Sequence, residues 1–150
     1  MERIIKESFT IIGKEGSTQA GEGFIQRLWE DANSHFGEIA HLAKMENGQL
    51  CGVWGAMSDF SRSFAPWENS FTQGLYLAGA ECIDSAEPPA GWAKWIIPGY
   101  EYLRVESTPE AFPATLNYIA QNSLTLAGAV HDFTDPATGR NYMLFPIRRL

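Results

Sequence analysis

Cysteine, histidine and basic residues are scarce in this sequence. Two cysteines and three histidines occur among 150 residues, and 11 Lys and Arg stand against 18 Asp and Glu, for a net charge of −7. Cys51 and Cys82 lie in strand-like runs without CxxC spacing, which predicts buried, reduced thiols that serve in packing. His35 and His41 lie on different faces of a predicted helix and His131 is distant, so we expect no metal site. An acidic chain repels phosphate backbones, and we expect no direct nucleic-acid partner.

Long apolar runs and common catalytic motifs are also missing. No segment approaches the ~18 apolar residues that cross a membrane, and MERIIKESF lacks the apolar core of a signal peptide. The sequence contains no GxSxG, P-loop or GxGxxG motif. We therefore expect a cytoplasmic protein without a membrane partner or a cofactor.

Aromatic residues are abundant instead. Nine Phe, five Trp and five Tyr occur in the chain, and only 19% of its residues are charged. A composition of this kind favours a folded chain over a disordered one, and the length suits a single domain.

The predicted elements repeat in the order strand, helix, strand, strand. Strands are predicted over residues 3–14, 49–57, 74–82, 92–105, 129–134 and 141–149. An apolar stripe predicts a helix over about 22–44, and a second helix is predicted to begin at Pro113. We expect one domain over 1–150 with pseudo-repeats at about 1–85 and 91–150. The predicted fold is α+β, in which duplicated βαββ units form one antiparallel sheet with two helices on one face.

One carboxylate interrupts an apolar predicted strand. In GLYLAGAEC, residues 74–82, alternation places Glu81 on the face of the two leucines and Tyr76 on the opposite face. An ionised carboxylate buried without a partner is penalised by several kcal/mol. Two interpretations are open: Glu81 anchors a cationic ligand, or it forms a structural ion pair with Lys94 or Arg104.

Aromatic rings near such a carboxylate would suit a cation, because each ring attracts it by about 0.5 to 2 kcal/mol. The candidate rings are Trp54, Trp67, Trp95, Tyr76, Tyr102 and Tyr142. For Trp54 and Trp95, which lie in predicted strands, core packing is the alternative. Trp67 lies in the aromatic loop SDFSRSFAPWENS, which we expect to fold over part of the molecule, either as a lid or as surface cover.

Three segments resemble the GyrI-like small-molecule-binding family, which includes effector-binding domains of AraC-type and MerR-type multidrug regulators and integron-associated proteins. LYLAGAEC is similar to the family's Tyr-x-x-Gly-x-Glu strand, IIPGYEYLRVES to its Ile-Pro strand with a following Tyr, and YMLFPIRRL to its closing Pro-Ile strand. The resemblance implies a cleft between two βαββ halves that binds amphipathic, often cationic molecules. It implies that Glu81 is the cleft carboxylate and that Tyr102 matches the Tyr. Tyr142 stands where many relatives have a second Glu.

Three functions follow as hypotheses. The first is a stand-alone module that binds an amphipathic, cationic small molecule through Glu81, Tyr102, Tyr142 and the tryptophans, and acts on transcription through a regulatory protein partner or sequesters drugs, as a monomer or a homodimer. Because some relatives hydrolyse electrophilic drugs, the second is a hydrolase with Glu81 as general base and Tyr102 or Tyr142 as hydrogen-bond donor. The third is a protein-interaction module with an exposed patch near Trp67.

Overall fold

A curled, eight-stranded antiparallel sheet organises the computed structural model, which describes residues 1–150. The strands are β1 (Glu2–Lys6), β2 (Phe9–Ser17), β3 (Met45–Glu46), β4 (Gln49–Leu50), β5 (Val53–Ser58), β6 (Leu75–Cys82), β7 (Ala93–Ile97), β8 (Tyr100–Glu106), β9 (His131–Thr134) and β10 (Asn141–Arg149). The order in the sheet is β1-β8-β10-β9-β5-β6-β2-β7, and β3 and β4 form a separate hairpin. The predicted α+β class is confirmed.

Two long helices cover one face of the sheet. These are α1 (Phe24–Ser34), which packs on β2 and β6, and α3 (Ala111–Gln121), which packs on β8 and β10. The short turn α2 (Glu68–Phe71) contains left-handed backbone angles at its second and third residues. None of these helices is long and apolar enough to cross a membrane. The face that carries α1 and α3 is called the helix face below, and the opposite one is called the concave face.

The sheet has an approximate two-fold symmetry. Its strand order read from one end becomes the order read from the other end when each strand is replaced by its counterpart in the other half. The matching pairs are β1 with β7, β2 with β8, β5 with β9, and β6 with β10. The first strand of each half pairs with a strand of the other half: β1 pairs with β8, and β7 pairs with β2. The halves also meet at the centre of the sheet, where β5 pairs with β9.

Three predicted strands are broken in the structure. The strand predicted over 3–14 is divided between β1 and β2, which pair with different neighbours. The run 92–105 is divided into β7 and β8 at its Pro-Gly pair, Pro98 and Gly99, where the sequence predicts an interruption because proline has no N–H for the ladder. The strand predicted over 49–57 is interrupted between Leu50 and Val53.

Both predicted helices have different ends from those expected. The helix predicted over 22–44 ends at Ser34, and its apolar stripe continues through two 3₁₀ turns that bury Ile39 completely. Polar and glycine residues after position 32 are weak helix formers, and the chain tightens there. The second helix begins at Ala111, not Pro113. Its proline is the third helical residue, where an N–H has no intrahelical acceptor in any case.

The concave face is filled by side chains of both halves. Its buried cluster comprises Phe9, Ile11, Trp54, Ala56, Leu75, Leu77, Trp95, Ile97, Tyr100, Tyr102 and Leu144. The loop after β5 packs Phe60 and Phe64 against this cluster, as expected for an aromatic loop that covers part of the molecule. Asp59 orders the loop. Although burial raises the pKa of Asp59, hydrogen bonds from Ser61 and its serine neighbours lower it to about 2.

Two glycines face each other where β2 and β6 approach most closely. Gly13 pairs with Gly79 in the ladder. A Cβ on Gly79 would lie 2.1 Å from the carbonyl oxygen of Ile12, and one on Gly13 would lie 2.5 Å from that of Ala78. The two strands therefore come closer than any side chain at these positions allows.

We expect Gly79→Ala to lower the free energy of unfolding by about 1 to 3 kcal/mol, because the added methyl group must push two paired strands apart. Urea unfolding followed by circular dichroism measures the change. Gly37→Ala is the control, because no atom lies within 4 Å of a Cβ at that position. Equal stability of the two variants would contradict the close approach of β2 and β6.

Candidate functional site

The junction of β5 and β9 places different chemistry on the two faces of the sheet. Trp54 pairs with Phe133, and both rings lie on the concave face with their centroids 4.7 Å apart. Gly55 pairs with Asp132, and both lie on the helix face. A cavity adjoins this junction on each face, and both combine aromatic rings with one carboxylate.

The cavity on the helix face, called the seam cavity, has a volume of about 310 Å³. It lies between α1 and the hairpin of β9 and β10. Its lining includes Trp29, Tyr76, Ser107, Asp132, Thr134 and Asn141. Ser107 and Asn141 are exposed, and they mark the side on which the cavity opens to solvent.

A directed chain of hydrogen bonds crosses the wall of the seam cavity. The indole N–H of Trp29 donates to the hydroxyl oxygen of Tyr76 at 3.1 Å, and that hydroxyl donates to Oδ2 of Asp132 at 3.3 Å. A Cβ on Gly55 would lie 1.8 Å from the Tyr76 hydroxyl oxygen, so only glycine at this position lets the hydroxyl cross β5.

Asp132 has little compensation for its charge. The Tyr76 hydroxyl is its one side-chain hydrogen-bond donor, and none of the ion pairs of the chain includes it. Burial raises the pKa of the Asp132 carboxyl, and the Tyr76 hydrogen bond only partly opposes this effect. A cation in the seam cavity would supply the missing compensation.

The second cavity, called the concave groove, has a volume of about 250 Å³ and contains Glu81. Its walls include Ile4, Lys6, Trp54, Arg104, Phe133 and Leu144. Glu81 is 3% exposed, and Nζ of Lys6 lies 3.2 Å from Oε1 and 3.3 Å from Oε2. Lys44 contributes a weaker contact, with its Nζ 3.9 Å from Oε2.

The structural interpretation of Glu81 therefore fits this geometry, but the predicted ion-pair partners are wrong. Arg104 pairs with Glu2 at 2.6 Å, and Lys94 donates to a backbone carbonyl. The true partner, Lys6, lies 75 positions from Glu81 in the chain. Lys6 belongs to β1, which pairs with β8 of the other half of the chain. No local pattern in the sequence reveals the contact between Lys6 and Glu81.

The Lys6 ammonium is held by rings as well as by the carboxylate. Its Nζ lies 4.5 Å from the ring centroid of Phe9 and 5.9 Å from that of Trp54. This is the arrangement of acid and aromatic rings that the sequence suggests for a ligand cation. In this structure a side chain of the protein supplies the cation.

The predicted rings are divided between the two faces. Trp54, Trp95 and Tyr102 lie on the concave face and are buried. Trp54 lines the concave groove, whereas Trp95 donates to Glu15 at 2.7 Å. The indole N–H of Trp54 and the hydroxyl of Tyr102 have no hydrogen-bond partner in the protein. Burial raises the pKa of Tyr102, so its hydroxyl stays protonated at neutral pH.

Tyr76 and Tyr142 both line the seam cavity, but only Tyr76 lies on the helix face beside Asp132. Tyr142 pairs with Phe133 in the ladder and stacks on its ring at 6.3 Å on the concave face, where the Arg104 guanidinium lies 4.5 Å from the Tyr142 ring. Trp67 lines neither cavity. It donates its N–H to the carbonyl of Leu75 at 2.9 Å and packs partly buried against the helix-face core. The protein-interaction hypothesis stays a prediction.

Sequence analysis missed Asp132 and Trp29, the two residues that define the seam cavity most clearly. Asp132 is followed by a loop rich in turn residues, and an acid at such a position is ordinarily solvated. Trp29 lies in the predicted first helix, where an indole ordinarily serves in packing.

The hydrolase hypothesis gains no support from the geometry. No hydrogen bond joins Glu81 to Tyr102 or Tyr142, and both carboxylate oxygens face Lys6. General base catalysis by Glu81 stays a prediction.

Comparison with solved structures identifies the fold of this chain. No family model and no curated protein sequence matches the chain. Among solved structures, SAV2435 bound to tetraphenylphosphonium is 16% identical, with a TM-score of 0.63 over 98% of this chain and 93% of that one. The EcmrR C-terminal domain is 10% identical, with a TM-score of 0.66 over 99% and 98%. This chain has the fold of these proteins, which is the fold that the GyrI-like resemblance implies.

An integron cassette protein from the mobile metagenome of Vibrio cholerae shares this GyrI-like fold. It is 15% identical, with a TM-score of 0.54 over 99% of this chain and 95% of that one. The fold that the three short segments imply is therefore confirmed. At such low identity the site residues must be argued from this chain alone.

We expect Lys6→Met to lower the free energy of unfolding by about 2 kcal/mol or more, because it leaves the buried Glu81 carboxylate with only the half-exposed Lys44, whose Nζ lies 3.9 Å away. The double variant Lys6→Met, Glu81→Met is expected to recover most of that loss, since an apolar pair needs no charge compensation. Urea unfolding measures both.

Lys14→Met is the matched control. Lys14 also contacts a ring, that of Trp92 at 4.4 Å, but its carboxylate partner Asp31 is half-exposed. Removal of this lysine should therefore cost less. A Lys6→Met protein as stable as the wild type would show that the ion pair is not structural.

Proposed function

We propose that this chain is a small-molecule-binding effector module that holds an amphipathic organic cation in the seam cavity. The observation that carries the proposal is the Asp132 carboxylate, which lines an aromatic cavity and has no ion-pair partner. SAV2435, which has the same fold, is bound to tetraphenylphosphonium, a cation with an apolar surface. This likeness supports the ligand class without assigning the site.

Two attractions would act together on a cation in the seam cavity. The Asp132 charge attracts it through a partly desolvated medium, where Coulomb energies exceed those in water. The rings of Trp29 and Tyr76 add about 0.5 to 2 kcal/mol each if the cation lies over their faces. An organic cation fits better than a metal ion, because the structure contains no cluster of three or more metal-ligating side chains.

The concave groove is the second candidate for the same function. The position of the Lys6 ammonium between Glu81, Phe9 and Trp54 favours it, because a ligand cation could replace this ammonium without leaving Glu81 unpaired. Such a ligand must compete with a covalently attached cation, whereas a ligand of Asp132 displaces no side chain. The seam cavity is therefore the stronger candidate.

Any regulatory effect of the ligand would pass to a protein partner. Both α1 and α3 pack on the sheet, and the net charge of −7 disfavours direct contact with DNA. A homodimer is an alternative to a partner of different sequence, and it stays a prediction.

We expect Asp132→Asn to weaken tetraphenylphosphonium binding at least tenfold, or about 1.4 kcal/mol. The amide keeps an acceptor for the Tyr76 hydroxyl but removes the charge. Isothermal titration calorimetry measures the affinity, and tetraphenylborate serves as an anion of the same shape that should bind far more weakly. Because the pKa of Asp132 is raised, the cation affinity of the wild type should fall as acid protonates this carboxyl. Asp132→Asn should not show that fall.

The controls separate the two cavities. Asp135→Asn makes the same change in the same hairpin, outside the seam cavity, and should bind like the wild type. Glu81→Gln tests the concave groove. Weakening in Glu81→Gln together with normal binding by Asp132→Asn would move the ligand to the concave groove. Equal affinity for the cation and the anion would refute a charge-selective site on either face.

A further inference from the structure

A third cavity adjoins the seam cavity and differs from it in chemistry. This apolar cavity has a volume of about 290 Å³, and eight of its ten lining residues are hydrophobic. It lies under α1 and the hairpin of β3 and β4. Its walls include Ala32, Phe36, Ile39, Leu50, Val53 and Ala80.

The two cavities are neighbours along the same face of β5. Gly55 lines the seam cavity and Val53 lines the apolar cavity. These residues are two positions apart on one strand, which is about 7 Å. Trp29 lines both cavities, so one indole side chain stands between them.

The apolar cavity has no charged side chain in its lining. It offers a hydrocarbon chain the burial that drives hydrophobic binding, and it offers a cationic head group no opposite charge, since its one polar side chain is the neutral Asn33. The seam cavity has the opposite character, with Asp132, Thr134 and Asn141 beside the aromatic wall. A molecule that satisfies both must have a cationic head and an apolar tail.

We infer that the two cavities form one bipartite site, in which Asp132 holds the cationic head and the apolar cavity takes a flexible hydrocarbon tail that passes Trp29. This inference rests on the proposed function, and it narrows the ligand from an amphipathic cation to one with an extended tail. A rigid, spherical cation would fill the seam cavity only. A long-chain ammonium ion would fill both.

The test is a series of n-alkyltrimethylammonium ions from butyl to decyl, each titrated below its micelle concentration. Affinity for the wild type should rise with tail length by up to about fourfold per methylene, the value for full burial, until the apolar cavity is filled. Affinity that does not rise with length would overturn the inference. Indole N–H resonances in a nitrogen-edited NMR spectrum locate the ligand, and that of Trp29 should shift.

Two variants fill the apolar cavity from opposite walls. Ala32→Leu adds volume from α1, and Val53→Phe adds it from β5. Both should bind the butyl ion within twofold of the wild type but lose the gain in affinity with length. Two variants are used so that misfolding of one of them cannot by itself explain the result. Ala114→Leu, which adds a leucine to the exposed side of α3, is the control and should keep the full length dependence.

The variant Asp132→Asn tests the proposed function separately from the bipartite site. If the inference and the proposed function both hold, this variant loses affinity by the same factor at every tail length. A length dependence that survives in Ala32→Leu and Val53→Phe would overturn the bipartite site and leave Asp132 as the head-group anchor. A normal affinity in Asp132→Asn would overturn the head-group assignment and leave the tail cavity in place.

Discussion

The pairing of β5 with β9 is the contact on which the rest of the structure depends. Three residue pairs join these strands, and they connect the two halves at the centre of one continuous sheet. Because side chains alternate along a strand, adjacent pairs point to opposite faces. Trp54 and Phe133 therefore form part of the packed concave core, whereas Gly55 and Asp132 open a cavity under the helices.

The two acids near this junction differ in burial and in how their charge is compensated. Glu81 is buried and receives Lys6 from the first strand, and aromatic rings surround the ammonium. Asp132 is partly exposed and receives one tyrosine hydroxyl and no cation. A carboxylate withdrawn from water needs a partner for its charge. The protein supplies that partner for Glu81, and we propose a ligand for that role at Asp132.

The two faces of the sheet are covered in different ways, which explains why the concave face is so densely aromatic. Only the helix face is covered by α1 and α3, so the other face must cover itself. The curl of the sheet, the close approach at Gly13 and Gly79, and the loop that carries Phe60 and Phe64 together achieve this. The concave groove beside Glu81 lies at this core. The helix face keeps its open space where the two helices do not meet.

The sequence by itself determined the elements that depend on short-range pattern. The helical stripe, the alternating strand that contains Glu81 and the duplicated order of elements all follow from periodicities of two or of three to four residues. Three short segments were enough to suggest the GyrI-like fold. Only the tertiary structure decided how the two acids are compensated. Lys6 reaches Glu81 from β1, a strand that pairs with the other half, and Tyr76 reaches Asp132 across β5. Contacts at that separation leave no periodic trace in the sequence.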